Sequence, residues 1–179
     1  MSAVVQILGI VEVEELIAPG FANLTGEEKE ECESFLQSLI RTGGCDEILR
    51  GEMAGSFKHG VISACMMGRA RRFQQFATSC AEIEFPVNWN FADWDNADEP
   101  NWAEMAYDAA AKACDIFPIS INFFDFGCLL QKQGRHGKAR LVFKEFLRRA
   151  NVREIDPVAR AAVSSRNIAD LIEHARKSL

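Results

Sequence analysis

Residues 123–150 read FFDFGCLLQKQGRHGKARLVFKEFLRRA, and this stretch has the clearest helical pattern in the chain. The i, i+3, i+4, i+7 spacing of one helix face is occupied by Phe123, Phe126, Gly127 and Leu130. A glycine inside a helix costs about 1 kcal/mol relative to alanine. We therefore expect a packing reason for Gly127, namely the close approach of a second helix.

A second amphipathic helix follows a short turn in the same stretch. The turn contains Gly134, a residue suited to the left-handed conformation that often follows a helix. The apolar stripe of the second helix consists of Ala139, Val142, Phe143, Phe146, Leu147 and Ala150. Its opposite face carries Lys138, Arg140, Lys144, Glu145, Arg148 and Arg149. The pattern predicts two antiparallel helices joined by a tight turn.

The spacing within this hairpin resembles the tetratricopeptide repeat. In that family a large aromatic residue, two residues, Leu-Gly, two residues and Tyr precede Ala-x3-Phe. The matching structural repeat positions are Phe123, Phe126, Gly127, Leu130, Ala139 and Phe143. The alanine falls twelve residues after the glycine, as it does in the family. A generic antiparallel helix pair is the alternative interpretation.

A fragment of a preceding repeat extends this resemblance upstream. Ala106, Ala110 and Ala113, followed by Pro118, resemble the second helix of a repeat, and Ala106 lies 33 residues before Ala139, close to the family period of 34. Two later positions depart from the pattern, since the family prefers Ala at the place of Phe146 and Pro at the place of Asn151. The first helix of the preceding repeat is not recognisable. The resemblance therefore covers residues 100–155.

Capping signals mark the other predicted helices. Residues 3–18 are ambiguous between a strand and a helix, and we interpret them as a helix. Thr25 and Glu28 have the spacing of a capping box. Residues 45–84 are expected to form two helices, with Gly51, Gly55, Gly60 and Gly68 as candidate breaks. A further helix is expected from Glu99, with Asp98 as its N-cap.

The last predicted helix spans residues 156–179 and begins at Asp156-Pro157. It resembles the capping helix that closes a repeat stack. The fold class expected from these elements is all-α. It is an antiparallel helix-turn-helix array resembling a tetratricopeptide superhelix, with a less regular N-terminal half. A length of 179 residues suits one domain, 1–179, with a core of its own.

The amino-acid composition indicates the cellular compartment and the class of protein. The chain is 48% hydrophobic and 26% charged, which is ordinary for a globular protein. No apolar run reaches the length of a membrane span, and no positive region precedes the first apolar stretch as in a secretory signal. The six cysteines lack close C-x2-C spacing. We interpret them as reduced core residues, and we expect a cytoplasmic protein without a membrane partner.

Charge is distributed unevenly along the chain. Residues 1–120 contain 8 basic and 20 acidic side chains, whereas residues 121–179 contain 12 basic and 6 acidic ones. The basic part could bind a partner, but we favour the packing of an acidic half beside a basic half. The cluster Arg69, Arg71 and Arg72 is typical of a solvated face. We therefore do not expect a nucleic-acid partner.

No catalytic motif is present in the sequence. Phosphate-binding, dinucleotide-binding, zinc-protease and nucleophile-elbow patterns are all absent. His59, His136 and His174 are scattered and share no ligand spacing. We therefore expect no enzyme, no catalytic residues, no metal site and no cofactor.

The resemblance implies a scaffold, adaptor or chaperone that binds another protein or a peptide segment, and it leaves homo-oligomerisation open. In that family the first helix of each repeat lines the concave surface. The corresponding partner-binding candidates are Ile121, Phe124, Cys128, Gln131 and Lys132. Because they are mostly apolar, we expect an apolar ligand segment, from another chain or from this chain's own Val4–Val11 stretch. The same residues could instead be covered by neighbouring helices.

An aromatic segment supplies the alternative function. Residues 85–102 place Phe85, Trp89, Phe91 and Trp94 among proline, asparagine and acidic residues. Such a segment is typical of a loop held over the core. It could also contact a ligand in a small helical enzyme or a ligand-binding protein.

Overall fold

The computed structural model describes residues 25–49, 57–82, 101–151 and 157–179. These ranges contain eight α-helices and no strand, so the predicted all-helical architecture is confirmed for the described part of the chain. The helices are α1 Gly26–Thr42, α2 Cys45–Leu49, α3 Phe57–Ala81, α4 Trp102–Ile116, α5 Ser120–Lys132, α6 His136–Ala150, α7 Pro157–Ser164 and α8 Ile168–Lys177. The helix predicted over residues 3–18, with its Val4–Val11 stretch, lies outside the described residues.

Helix α1 begins at the predicted capping box. The Thr25 hydroxyl accepts a hydrogen bond from the Glu28 amide at 3.3 Å, and the Glu28 carboxylate accepts one from the Thr25 amide at 2.9 Å. These two bonds satisfy amides that the helix cannot pair internally. The helix ends at Gly43, whose φ of 75° is left-handed. The prediction for this helix is confirmed.

Helix α3 is a single element of 25 residues and continues through Gly60 and Gly68. The prediction that these glycines break the region is therefore wrong, while Gly51 and Gly55 lie outside the described residues. Each helical glycine costs about 1 kcal/mol, and burial of the helix, which is complete around residues 61–66, outweighs that cost. The buried residues of α3 include Val61, Ala64, Cys65, Met66, Ala70, Ala77 and Cys80.

Helix α4 begins at Trp102 rather than at Glu99. The Asn101 side chain is its N-cap and accepts a hydrogen bond from the Glu104 amide at 3.1 Å. The predicted cap, Asp98, lies outside the described residues. Alanines line the inner face of α4, and Ala106, Ala109, Ala110 and Ala113 are buried. Small side chains on this face allow α3 and α5 to approach from two sides.

Helices α5 and α6 form the predicted hairpin, which is confirmed at its centre. A Cβ atom added to Gly127 would lie 2.6 Å from Cε1 of Phe143, a distance that real Cβ contacts do not show. Phe143 and Leu130 are fully buried. The turn contains Gly134 with a φ of 70°, as expected for a left-handed residue after a helix.

The order of packing follows the chain. Helix α3 packs against α4, α4 against α5, and α5 against α6. Helix α8 then packs against α6, whereas α1, α2 and α7 pack against α3. Two hydrophobic clusters result. The first is formed by α1, α2, the first part of α3, the α4–α5 turn and α7, and the second by the end of α3 with α4, α5, α6 and α8.

The C-terminal region contains two helices instead of the single capping helix predicted over 156–179. Helix α7 ends at Ser164, and α8 starts at Ile168. The break allows the two helices to bury different faces. Ala159 and Ala162 of α7 enter the first cluster, whereas Ala175 of α8 enters the second. Asp156, the predicted cap, lies outside the described residues.

All six cysteines belong to the described residues, and none forms a disulfide. Five are buried, and Cys128 is half-buried. Burial raises the pKa of Cys45 and of Cys65 to about 11, so both thiols are protonated at neutral pH. Within the described ranges, no helix combines the length and the apolar character needed to span a bilayer.

Candidate functional site: the groove between α3 and α5

The principal partner-binding candidate, Phe124, is in the core. Its side chain is 6% exposed, and its ring centroid lies 5.2 Å from that of Phe146 and 5.4 Å from that of His174. The expectation of an open apolar surface at Phe124 is therefore wrong. Phe124 packs against Phe143, the same ring that fills the space beside Gly127, and His174 of α8 covers Phe124.

The other four candidates do not form one apolar patch. Ile121 is half-buried against the first cluster, and the Gln131 side chain lies 3.4 Å from the His174 imidazole. Cys128 and Lys132 lie along a cavity between α3 and α5. Two of the five candidates therefore border this cavity.

The cavity has a volume of about 320 Å³ and is bounded by the end of α3, the middle of α4 and the length of α5. A second cavity of about 170 Å³ lies nearer the start of α5 and is closed by the α7–α8 turn. Both are lined by Gln74, Asn122 and Asp125. We refer to the two cavities together as the α3–α5 groove, and to these three residues as its centre.

Gln74 and Asn122 form a fixed bridge across the groove. The Gln74 amide donates a hydrogen bond to Oδ1 of Asn122 at 2.7 Å. Nδ2 of Asn122 donates to the Phe117 carbonyl at 2.6 Å, at the end of α4. Asn122 is 4% exposed, and a buried amide of this kind is stable only when it is hydrogen-bonded. The bridge therefore connects α3, α4 and α5 at one point.

Asp125 supplies the charge at the centre of the groove. Its carboxylate accepts a hydrogen bond from Nη2 of Arg166 at 3.3 Å. Burial raises the pKa of Asp125 above its ordinary value, although Arg166 opposes this shift. The pKa is instead lowered in three glutamates that have arginine partners, namely Glu33, Glu104 and Glu145. Arg166 therefore balances the negative charge of Asp125 only in part.

The two ends of the groove differ in charge. The larger cavity is lined by Glu82 and Lys132 in addition to Asp125. The smaller cavity is lined by two arginines, Arg71 and Arg166. Apolar side chains such as Ala77, Ala110 and Leu129 cover the remainder of the larger cavity. The groove can therefore hold a ligand that has both apolar and charged groups.

Sequence reasoning missed the centre of the groove. The sequence pattern did not identify Asn122, because it lies within the mostly apolar stretch ISINFF at 119–124. That context was itself a signal, since a polar residue on a buried helix face requires a partner. Gln74 gave no comparable signal, because it lies beside Gln75 on a helix with exposed polar residues.

The side chains of this groove bear on metal binding and on thiol chemistry. No group of three or more His, Cys, Asp or Glu side chains there, or elsewhere in the described ranges, could hold a metal ion. Burial raises the pKa of Cys128 and so disfavours the thiolate needed for nucleophilic attack. The aromatic segment of the alternative hypothesis lies outside the described residues except for Asn101 and Trp102. The chain has no significant match among protein-family models, curated proteins or solved structures.

Proposed function

We propose that this chain is a binding scaffold that holds a segment of a partner protein in the α3–α5 groove. In this proposal α3–α4 and α5–α6 are two helical hairpins stacked in the manner of tetratricopeptide repeats. The first helices of the two hairpins, α3 and α5, form the walls of the groove. The sequence predicts an apolar ligand segment, whereas the ligand segment proposed for this groove has polar as well as apolar groups.

The packing order supports the repeat-like part of the proposal. In such an array each helix packs against the helices before and after it in the chain, as α3, α4, α5 and α6 do. Helix α3 provides the first helix that the sequence did not reveal for the upstream repeat. It lies farther from α4 in sequence than a regular repeat allows, because residues 82–101 separate the two helices.

The observation that carries the functional part is the groove itself. Its larger cavity of about 320 Å³ falls in the size range of ligand-binding clefts. Its lining includes exposed Thr78 and Ala81 on α3 and exposed Lys132 on α5, at the mouth. These positions give a ligand segment access from solvent.

The test compares the partner protein captured by the native chain with that captured by a variant whose groove is filled. Thr78→Trp places a large ring at the mouth without altering the buried core, and we expect it to reduce capture of the partner at least tenfold. The matched control is Lys144→Trp, which introduces the same ring on the exposed face of α6. Captured proteins are compared by quantitative mass spectrometry, and thermal melts establish that both variants fold.

Loss of a captured protein with Thr78→Trp and its retention with Lys144→Trp supports the groove. Equal capture by the native chain and Thr78→Trp contradicts the proposal. Loss with Lys144→Trp alone would assign binding to the basic outer face of α6 and would also contradict it.

A further inference from the structure

The centre of the groove has one charged group, the carboxylate of Asp125, and this carboxylate has capacity for further hydrogen bonds. Asn122 uses Oδ1 for Gln74 and Nδ2 for the Phe117 carbonyl. Both groups therefore serve the bridge between helices. Asp125 has two carboxylate oxygens, and a carboxylate can accept about four hydrogen bonds. Its one hydrogen bond among the described residues comes from Arg166.

The pair with Arg166 is weak. The separation is 3.3 Å, and the two side chains are 40% and 39% exposed. Ion pairs with this degree of exposure contribute little to stability. The other basic groups of the groove are Arg71, one helical turn before Gln74 in the middle of α3, and Lys132, two helical turns beyond Asp125. Among the described residues, the cation that lowers the pKa of Asp125 is Arg166.

Of the two cavities that meet at Asp125, the larger one favours a cation. Its acidic Glu82 and Asp125 outnumber its basic Lys132, whereas Arg71 and Arg166 outnumber Asp125 in the smaller cavity. The other polar side chains of the larger cavity, such as Gln74, Asn122 and Cys128, are neutral. Its alanine and leucine walls can contact the methylene groups of a long side chain, as lysine and arginine stems often require.

We propose that Asp125 binds a cationic group, an ammonium or guanidinium, whose apolar stem occupies the larger cavity. The proposal rests on the binding function of the groove and specifies its chemistry. In a partner protein the group would belong to a lysine or arginine side chain. A free alkylamine has the same chemistry and forms the second arm of the test.

The experiment follows the Asp125 side-chain carboxyl by carbon-13 NMR during pH titration of the full chain. The probes are n-butylamine, n-butanol and butyrate, which share one stem and differ in charge. A bound cation stabilises the carboxylate, so n-butylammonium should lower the pKa of Asp125 while n-butanol leaves it unchanged. The proposal is overturned if n-butylamine and n-butanol shift the pKa of Asp125 equally. It is also overturned if neither n-butylamine nor the lysine peptide described next shifts this pKa.

A lysine peptide, acetyl-Ala-Lys-Ala-amide, and its norleucine counterpart test the protein source of the cation. We expect Asp125→Asn to weaken binding of the lysine peptide about tenfold, the effect of losing one charge-assisted hydrogen bond. Asp170→Asn, an exposed carboxyl on α8, is the control. Tighter binding of the peptide than of n-butylamine indicates a partner side chain, whereas equal binding indicates a free amine. Equal affinity of the lysine and norleucine peptides overturns the proposal.

Failure of the Asp125 proposal can be distinguished from failure of the scaffold proposal. If Thr78→Trp abolishes partner capture and Asp125→Asn does not alter it, the groove binds a partner without using Asp125. If n-butylammonium lowers the pKa of Asp125 and Asp125→Asn weakens binding of the lysine peptide, while Thr78→Trp leaves capture intact, Asp125 binds cations at a site that the partner does not use.

Discussion

Gly127 shows how one missing methyl group sets the distance between two helices. The Phe143 ring occupies the space in which a Cβ would lie, and its Cε1, Cδ1 and Cζ atoms would all be within 2.9 Å. The ring is completely buried. It cannot move aside cheaply, because Phe124 packs against it with centroids 5.9 Å apart.

We expect Gly127→Ala to destabilise the chain by about 1–3 kcal/mol through overpacking. Gly137 provides the matched control, since a Cβ added there meets nothing within 4 Å. Gly137→Ala should be neutral or stabilising by up to about 1 kcal/mol, because alanine is the better helix former. Chemical denaturation of the two variants measures the difference. Equal stability of Gly127→Ala and the native chain would contradict the hairpin geometry.

At the scale of the element, α6 owes its position to Arg149. Sequence spacing placed this arginine on the polar outer face, but its side chain is only 16% exposed. It donates to Asp46 of α2 at 2.9 Å and to the Pro118 carbonyl at 2.6 Å. It also lies over the Phe123 ring, 4.7 Å from the centroid. One residue thus connects α6 to α2, to α5 and to the α4–α5 turn.

Arg149→Met should destabilise the chain by about 1–3 kcal/mol, because the hydrogen bonds that Arg149 donates to Asp46 and to the Pro118 carbonyl are lost. The neighbouring Arg148 binds the same Glu145 but is 60% exposed. Arg148→Met is therefore expected to cost less than about 1 kcal/mol. Thermal and urea denaturation distinguish the two, and equal losses would show that the connection to α2 contributes nothing.

Glu145 makes the stability of this region depend on pH. Hydrogen bonds from Arg148 and Arg149 lower its pKa to about 2 from an ordinary value of 4.5. A carboxyl with a lowered folded-state pKa stabilises the fold above its unfolded-state pKa. Its contribution is therefore present above about pH 4.5 and is lost as the pH falls toward 2.

We expect the unfolding free energy of Glu145→Gln to fall less steeply than that of the native chain between pH 4.5 and 2. Glu173→Gln is the control, because Glu173 is exposed and pairs with Lys177 within α8. Urea denaturation across this pH range gives both slopes. Parallel profiles for Glu145→Gln and the native chain would contradict the assignment.

The elements predicted correctly from sequence are those with local causes. The Thr25 capping box and the α5–α6 hairpin depend on residues a few positions apart. The errors concern contacts between distant segments. Helix α3 continues through Gly60 and Gly68 because of its packing, and α8 covers Phe124. Arg149 binds Asp46, which lies 103 residues away in the sequence. For the same reason the groove could not be predicted, since it joins residues of α3 and α5.

At the scale of the whole molecule, the Asn122 bridge holds the walls of the groove together. Asn122→Leu should destabilise the chain by about 1–3 kcal/mol, because the Phe117 carbonyl loses a buried hydrogen-bond donor and Gln74 an acceptor. Asn151 offers a control, since the one hydrogen bond of its exposed side chain within the described ranges goes to the Leu147 carbonyl. Asn151→Leu should alter stability by less than about 0.5 kcal/mol. Comparable stability of the two variants would show that the bridge is dispensable.

The division of the interior into two clusters has a consequence for cooperativity. The smaller cavity is walled by first-cluster residues such as Met67 and Ile119, and the larger by second-cluster residues such as Ala110 and Leu129. The centre of the groove is therefore the seam between the two clusters, which we expect to open as separate subglobal units. A ligand that spans both cavities would bind only while the seam is closed. Its binding energy would couple the two units and make the chain unfold as one.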